Sequence, residues 1–157
     1  MAQWLFKTEP SEFSLEDLLA APGRMTRWEG IRNYQARNYL RDAVRIGDPV
    51  FLYHSSCREP GIVGLMEVVR AGYPDPTCLD PESPYYDPRS TPERIRWYTV
   101  DVRLIARLSA PLPLRTLRQE RALRGFQLLR RGNRLSIIPV TQTLWQHLME
   151  LTTLLPL

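Results

Sequence analysis

Cysteine is scarce in this chain, which contains only Cys57 and Cys78 among its 157 residues. Two cysteines are too few for a disulfide framework or a cysteine-rich metal site, and their scarcity favours a reducing compartment. No run of about 18 apolar residues is present, so we expect no membrane-spanning helix. The first residues lack a basic segment followed by an apolar one. We therefore expect no secretion signal and a cytoplasmic protein, or a nuclear one in a eukaryote.

The common cofactor and metal motifs are missing as well. Neither a G-x-G-x-x-G sequence nor a P-loop occurs, which argues against a nucleotide cofactor. The two histidines, His54 and His147, have no third ligand at a spacing that suits zinc. The acidic residues around position 80 do not follow the pattern of a calcium loop. We therefore expect neither a cofactor nor a metal ion.

Lysine is almost absent: 20 of the 21 basic residues are arginine, and Lys7 is the single lysine. A retained lysine favours a position that needs a compact ammonium group rather than a planar guanidinium. The formal net charge of +4 is unevenly distributed, because residues 1–100 carry −2 and residues 101–157 carry +6. The C-terminal part is expected to face a polyanion or to form an ordinary solvated surface.

Local patterns predict strands and helices in an irregular order. Apolar, β-branched and aromatic runs predict strands at residues 3–8, 49–55, 61–71, 96–108 and 134–140. Helical spacing and capping residues predict helices at residues 15–19, 33–43, 114–129 and 142–151. Because this order lacks a regular βαβ alternation, it favours an α+β fold with a small mixed or antiparallel β pseudo-barrel flanked by helices. We expect a single domain over residues 1–157.

Two connections carry their own predictions. The short return between residues 49–55 and 61–71 predicts an antiparallel strand pair. Residues 73–92 contain 6 of the 14 prolines and are expected to form an ordered loop anchored by Tyr85 and Tyr86.

The segment from Trp28 to Tyr34 combines two large aromatic residues, an arginine, an asparagine and a glycine within seven positions. A hydrophobic core does not require this mixture. A pocket for a flat, polar ligand does, because rings stack on it, amide and guanidinium groups read its edge, and Gly30 allows close approach. A nucleobase is the commonest ligand of this description.

Three strand ends supply further candidate residues. Lys7 and Glu9 lie two apart, so their side chains share one face of a strand, although a surface ion pair would give the same pattern. Tyr53, His54 and Ser55 end another strand, where the histidine alone would also suit a buried core position. Arg134 and Ser136 open the last strand, where an ordinary turn is the alternative.

Several segments together resemble the EVE domain family over about residues 2–151. These segments are Trp4–Pro10, Trp28–Asn38, Gly47–Asp48, Tyr53–Ser55, Pro60–Gly64, Tyr86–Pro88 and Arg134–Ser136. The resemblance implies a PUA-like fold, related to YTH and ASCH domains, that takes a modified base of DNA or RNA into a pocket. The expected pocket residues are Lys7, Glu9, Trp28, Asn33, Tyr34, Tyr53, His54, Ser55, Arg134 and Ser136. The expected phosphate-binding residues are Arg37 and Arg41.

The expected function is therefore binding of a nucleic acid that carries a modified base, such as a modified cytosine, without catalysis. One alternative is a hydrolase of modified nucleosides, similar to some ASCH proteins, that would use Lys7, Thr8 and Glu9. In a regular strand, however, Thr8 points away from the other two. Another alternative is an RNA-processing or toxin–antitoxin accessory that binds a small anion or nucleotide. The sequence does not fix the oligomeric state, and a monomer is slightly favoured.

Overall fold

The computed structural model describes residues 2–157, and its centre is one mixed sheet of seven strands. The strands are β1 (Gln3–Thr8), β2 (Met25–Arg27), β3 (Pro49–His54), β4 (Gly61–Pro74), β5 (Tyr98–Pro113), β6 (Ile137–Val140) and β7 (Leu154–Pro156). Their order is β2-β5-β4-β3-β1-β6, with β7 also paired to β5. Only β1 and β3 run parallel, and the other pairs are antiparallel.

In the part of the chain that the structure describes, four α-helices accompany the sheet: α1 (Leu15–Ala20), α2 (Tyr34–Asn38), α3 (Leu114–Gln119) and α4 (Gln142–Leu151). Ser14 and Asn33 cap α1 and α2, because their side chains accept hydrogen bonds from the Asp17 and Ala36 amides. A π-helical turn at Tyr39–Ala43 continues α2. Within residues 2–157, no helix has the length and apolar character that crossing a bilayer requires.

The two long central strands give the sheet its bend. Strands β4 and β5 pair over most of their length, with register shifts at four places. Such irregularities bend a strand and increase its twist. The core lies against the curved sheet, and Phe6, Phe51 and Met66 are fully buried there. The predicted α+β class and the antiparallel β3–β4 pair are confirmed.

The local structure differs from the sequence predictions at three points. Residues 114–129 are not one helix, because α3 ends at Gln119 and two short 3-10 turns follow, separated by Gly125 at a φ of +83°. Strands β2 and β7 were not predicted, since three residues are too few to show an alternating pattern. In the proline-rich loop, Tyr85 is partly buried, but Tyr86 is 44% exposed and does not anchor the chain.

Candidate functional site

A cavity of about 850 Å³ opens where the end of β1 meets the segment after β2. Its volume falls in the range of pockets that enclose small molecules. The lining residues are Lys7, Thr8, Glu9, Glu12, Phe13, Thr26, Arg27, Trp28, Glu29, Gly30, Ile31, Ser55, Ser56, Tyr85, Asn133, Arg134 and Ser136. These residues come from five separate parts of the chain, so only the tertiary structure assembles the cavity.

The end of β1 brings three of these parts together. The Ser55 amide donates to the Thr8 carbonyl at 2.9 Å, which carries the parallel β1–β3 pairing past His54. On the other side, the Lys7 amide donates to the Ser136 carbonyl at 2.9 Å. Both Lys7 and Glu9 face the cavity, as their spacing predicts.

Ser56 adds local strain at the cavity wall. Its φ of +53° is in the left-handed region, which a residue other than glycine rarely adopts. This conformation costs on the order of 1–3 kcal/mol and persists only where the surrounding structure holds it, often at functional sites.

The opposite wall starts at Trp28, which is tied to β5. Its amide donates to the Val100 carbonyl at 2.8 Å, and the Thr99 hydroxyl donates to the Trp28 carbonyl at 2.6 Å. The indole is only 6% exposed and packs against Phe6, with 5.5 Å between ring centroids. Trp28 is therefore a core residue that presents a limited surface to the cavity.

Because Gly30 has no side chain, the Tyr85 ring packs directly against its backbone. Its φ is +83°, and a Cβ at this position would lie 2.6 Å from the Tyr85 ring. This corrects the expectation that Gly30 simply admits a ligand. The absent side chain lets Tyr85, which lies in the proline-rich loop, become part of the cavity wall.

Arg32 fixes the loop that carries Tyr85. Its guanidinium donates to the Tyr85 carbonyl at 2.7 Å and to the Asp75 carboxylate at 3.2 Å. The same group lies 5.7 Å from the Tyr85 ring centroid and 5.3 Å from that of Trp97. These contacts occupy the guanidinium, so Arg32 shapes the cavity from behind instead of lining it.

Asp75 connects the loop to the opposite wall from a fully buried position. Burial alone would raise the pKa of its carboxyl group, but hydrogen bonds from Thr77, the Gly30 amide and Arg32 lower that pKa overall. The carboxylate therefore stays charged and holds both Gly30 and the loop in place.

The charged groups inside the cavity differ in how they are paired. Arg27 and Glu29 form an ion pair at 3.0 Å. Over residues 2–157, Lys7, Glu9 and Glu12 take part in no ion pair. Burial lowers the pKa of the Lys7 ammonium group. An ammonium that has lost water without gaining a carboxylate benefits strongly from a hydrogen-bond acceptor on a ligand.

Six of the ten predicted pocket residues line the cavity. They are Lys7, Glu9, Trp28, Ser55, Arg134 and Ser136. The other four predicted residues do not line the cavity, which corrects the prediction for Asn33, Tyr34, Tyr53 and His54.

Asn33 and Tyr34, at the start of α2, are engaged by other parts of the chain. The Asn33 side chain accepts from the Ala36 amide at 2.9 Å and so caps the helix. The Tyr34 ring stacks on Trp97 with 4.9 Å between centroids, and its hydroxyl accepts from Arg96. Tyr34 remains 50% exposed, but it is not one of the residues that line the cavity.

Tyr53 is buried and His54 is partly buried, and neither lines the cavity. Tyr53 is 2% exposed, and burial raises the pKa of its hydroxyl to about 12. The Lys7 ammonium lies 6.0 Å from its ring centroid. The His54 Nε2 accepts from the Leu15 amide at 3.1 Å, and burial lowers the pKa of the ring. His54 is therefore a neutral imidazole whose hydrogen bond to the Leu15 amide stabilises the start of α1.

The two predicted phosphate-binding arginines have partners within the chain. Arg41 pairs with Asp42 at 2.8 Å. Arg37 donates to the Arg96 carbonyl at 2.7 Å, and its guanidinium lies 4.9 Å from the Tyr34 ring centroid. Neither arginine lines the cavity.

The sequence prediction also missed part of the lining. The residues not predicted as pocket residues include Phe13, Arg27, Ile31, Tyr85 and Asn133. Tyr85 had one usable signal, since an ordered loop with a tyrosine was predicted. What placed it here is its contact with Gly30, 55 positions away in sequence, and no local pattern reports such a contact.

The structure offers no clustered metal ligands in the part of the chain that it describes. Thr8, a candidate nucleophile, donates its hydroxyl hydrogen to the Phe13 carbonyl at 3.0 Å. The cavity thus combines an unpaired ammonium, two unpaired carboxylates and aromatic surface. Such a set suits recognition of a flat ligand that has both donors and acceptors.

A family model described as the EVE domain matches residues 2–151. The chain belongs to the EVE domain family. The resemblance drawn from the sequence motifs is thereby confirmed. Human thymocyte nuclear protein 1 is 40% identical in an alignment 167 residues long, gaps included, which spans 96% of this EVE domain chain and 73% of that protein.

Solved structures agree with this assignment. A Pseudomonas syringae protein is 45% identical with a TM-score of 0.90, covering 96% of this chain and 99% of its own. Human THYN1 protein in complex with DNA containing 5-methylcytosine is 39% identical with a TM-score of 0.91, covering 96% and 97%. A Zymomonas mobilis ASCH protein is 13% identical with a TM-score of 0.53. It is similar to this chain in fold only, which agrees with the expected PUA-like fold class.

Proposed function

We propose that this EVE domain binds DNA that carries a modified cytosine and takes that base, extruded from the helix, into the cavity without altering it. The observation that carries the proposal is the cavity itself, where Lys7, Glu9, Trp28 and Tyr85 face one space. The similar human THYN1 protein, whose structure holds DNA containing 5-methylcytosine, supports the choice of ligand.

The polar groups of the cavity match the edge of a cytosine. The exocyclic amino group of cytosine is a donor, and a carboxylate such as Glu9 accepts from it. The carbonyl oxygen of the base is an acceptor, which the Lys7 ammonium would satisfy. Phe13 and Ile31 give the cavity apolar surface against which a methyl group would pack.

The energies are of the right size for base extrusion. Removing one base from the stack costs a few kcal/mol. Stacking on an aromatic side chain returns about 1–3 kcal/mol per base. A hydrogen bond to a charged group adds about 1.5–3 kcal/mol. One aromatic contact and one charged hydrogen bond therefore offset most of the extrusion cost.

We expect Lys7→Met to weaken binding of a duplex with one 5-methylcytosine by roughly ten- to hundredfold, the equivalent of one charged hydrogen bond. The fold should be unaffected or slightly stabilised, because the substitution removes a desolvated ammonium and keeps an apolar stem. Fluorescence anisotropy with matched methylated and unmethylated duplexes measures the affinities. A 2-aminopurine beside the modified base reports its extrusion by increased fluorescence.

The matched control is Arg107→Met, which removes the same charge from an exposed residue of β5 outside the cavity. Equal affinities of the two variants would show that Lys7 does not contact the base. A wild-type chain that binds methylated and unmethylated duplexes equally would overturn the proposed function. Preference for 5-methylcytosine in RNA over DNA would change the proposed nucleic acid.

A second candidate, hydrolysis of a modified nucleoside, is favoured by one observation: Lys7, Thr8 and Glu9 all line the cavity. The lowered pKa of Lys7 would help it to act as a base. Against this role, the Thr8 hydroxyl is bonded to the Phe13 carbonyl and not to Lys7.

For this reason we expect no release of cytidine when the protein is incubated with N4-acetylcytidine and the products are separated by chromatography. Release of cytidine that persists in Arg107→Met but disappears in Lys7→Met would replace the binding function by catalysis.

A further inference from the structure

We infer that an arginine-bearing turn at the cavity rim, residues 130–134, holds the DNA backbone beside the extruded base. We call this segment the rim turn. The inference deepens the proposed function and rests on it. It also transfers the phosphate-binding role from Arg37 and Arg41 to a different part of the chain.

The rim turn is placed at the cavity by its own last residues. The Asn133 amide donates to the Arg130 carbonyl at 3.1 Å and closes the turn. Asn133 and Arg134 line the cavity, so Arg130 and Arg131 lie within a few residues of its mouth. On either side of the turn, Leu128 and Leu135 are each 5% exposed.

The charge of the rim turn is not neutralised by the chain. Arg130, Arg131 and Arg134 are all exposed. Over residues 2–157, none of the three forms an ion pair or a side-chain hydrogen bond with the protein. Three guanidinium groups within five residues create a positive potential that favours a phosphate backbone.

The contrast with the predicted phosphate-binding residues decides between the two locations. Arg41 would have to leave Asp42, and Arg37 would have to leave the Arg96 carbonyl, before either could bind a phosphate fully. Among the described residues, the side chains of Arg130 and Arg131 have no such contact to lose. A base inside the cavity also requires that its own flanking phosphates lie at the rim, and the rim turn reaches the cavity through Asn133 and Arg134.

The test measures how salt weakens binding. Each phosphate neutralised by a basic side chain adds about 0.9 to the slope of log affinity against log salt concentration on duplex DNA. We expect the double variant Arg130→Gln/Arg131→Gln to reduce this slope by about 2. Affinities for methylated and unmethylated duplexes should fall by the same factor, so the preference for 5-methylcytosine is kept.

The matched control is Arg121→Gln/Arg124→Gln. These two exposed arginines also lack ion pairs among the described residues, but they do not adjoin the lining of the cavity. Both double variants lower the net charge by two, and only the rim-turn variant should change the slope. Arg134 is left intact because it lines the cavity itself.

The outcomes separate this inference from the proposed function. An unchanged slope in the rim-turn variant, or equal decreases in both variants, would overturn the inference while a preference for 5-methylcytosine upheld the function. A reduced slope without any preference would uphold the rim turn as a DNA contact and overturn base recognition. No measurable binding to either duplex would overturn both.

Discussion

Replacing Gly30 by alanine should weaken both the fold and base binding. The added Cβ would lie 2.6 Å from the Tyr85 ring, a distance at which one of the two groups must move. The φ of +83° adds strain, since alanine in the left-handed region costs about 1–2 kcal/mol. Tyr85 is also held by Arg32, so it has little freedom to yield. We expect a loss of about 2–4 kcal/mol in the free energy of unfolding.

Gly125→Ala is a close control for this substitution. Gly125 has the same φ of +83°, but a Cβ there would meet no atom within 4 Å. It therefore measures the backbone strain alone, and the difference between the two variants measures the clash with Tyr85. Urea denaturation gives the stabilities, and the affinity for the methylated duplex, measured below the unfolding transition, gives the binding effect.

We expect the Gly30→Ala variant to lose at least tenfold in affinity for methylated DNA, because a displaced Tyr85 changes the cavity wall. The Gly125→Ala variant should keep its affinity. Equal stability and equal binding in the two variants would show that the contact between Gly30 and Tyr85 does not shape the cavity.

Asp87→Asn should be the second strongly destabilising change. The buried carboxylate accepts from the Arg96 guanidinium at 3.0 Å, from the Trp97 indole at 2.8 Å and from the Ser90 hydroxyl at 2.8 Å. An amide places a donor where the site supplies only donors and leaves the arginine without its charge partner. Removing one member of a buried pair costs about 3–5 kcal/mol, and partial exposure of Arg96 reduces this to about 2–4 kcal/mol.

The same site should make stability depend on pH in acid. Burial alone would raise the pKa of the Asp87 carboxyl, but hydrogen bonds from Arg96, the Arg89 amide, Ser90 and Trp97 hold it far below its ordinary value of 3.8. Because the folded pKa is the lower one, the stabilisation is fully present above about pH 3.8 and is lost as the pH falls below that value. The stability difference between wild type and Asp87→Asn should therefore shrink as acid is added.

Asp42→Asn serves as the comparison, because it breaks an ion pair with Arg41 in which the Asp42 side chain is 59% exposed. Such exposed pairs contribute little to stability, because water screens the charges. Thermal unfolding at pH 7 and at a series of lower pH values measures both variants. A loss in Asp87→Asn no larger than that in Asp42→Asn would show that the buried network does not stabilise the loop.

Local sequence signals were reliable where the physical cause is local. Strand β1 and helix α4 have the predicted bounds, since alternation and helical spacing involve only near neighbours. The shared face of Lys7 and Glu9 followed from the same period of two. The prediction of one helix over residues 114–129 failed because the backbone is already extended at Glu120, with a ψ of 112°, and Gly125 has a positive φ further on. A helical pattern reveals neither.

Contacts within the chain explain the errors at the candidate site; they are local at Asn33 and long-range at Tyr34 and His54. Asn33, Tyr34 and His54 have functional groups that suit a ligand, but each is used by a helix cap, a ring stack or a backbone amide. A sequence shows which groups a residue offers. It does not show which of them the folded chain already occupies.

The amino-acid sequence by itself determined the family, the α+β class and the strand-end residues Lys7, Glu9 and Ser136, because motif order and short-range periodicity are properties of the chain. The tertiary structure alone decided that Tyr85 completes the cavity wall and that Arg37 and Arg41 are occupied, while the rim turn keeps unpaired charge. Apart from the pairing of Arg41 with its neighbour Asp42, those facts depend on contacts between residues distant in sequence, and distances and burial exist only once the chain is folded.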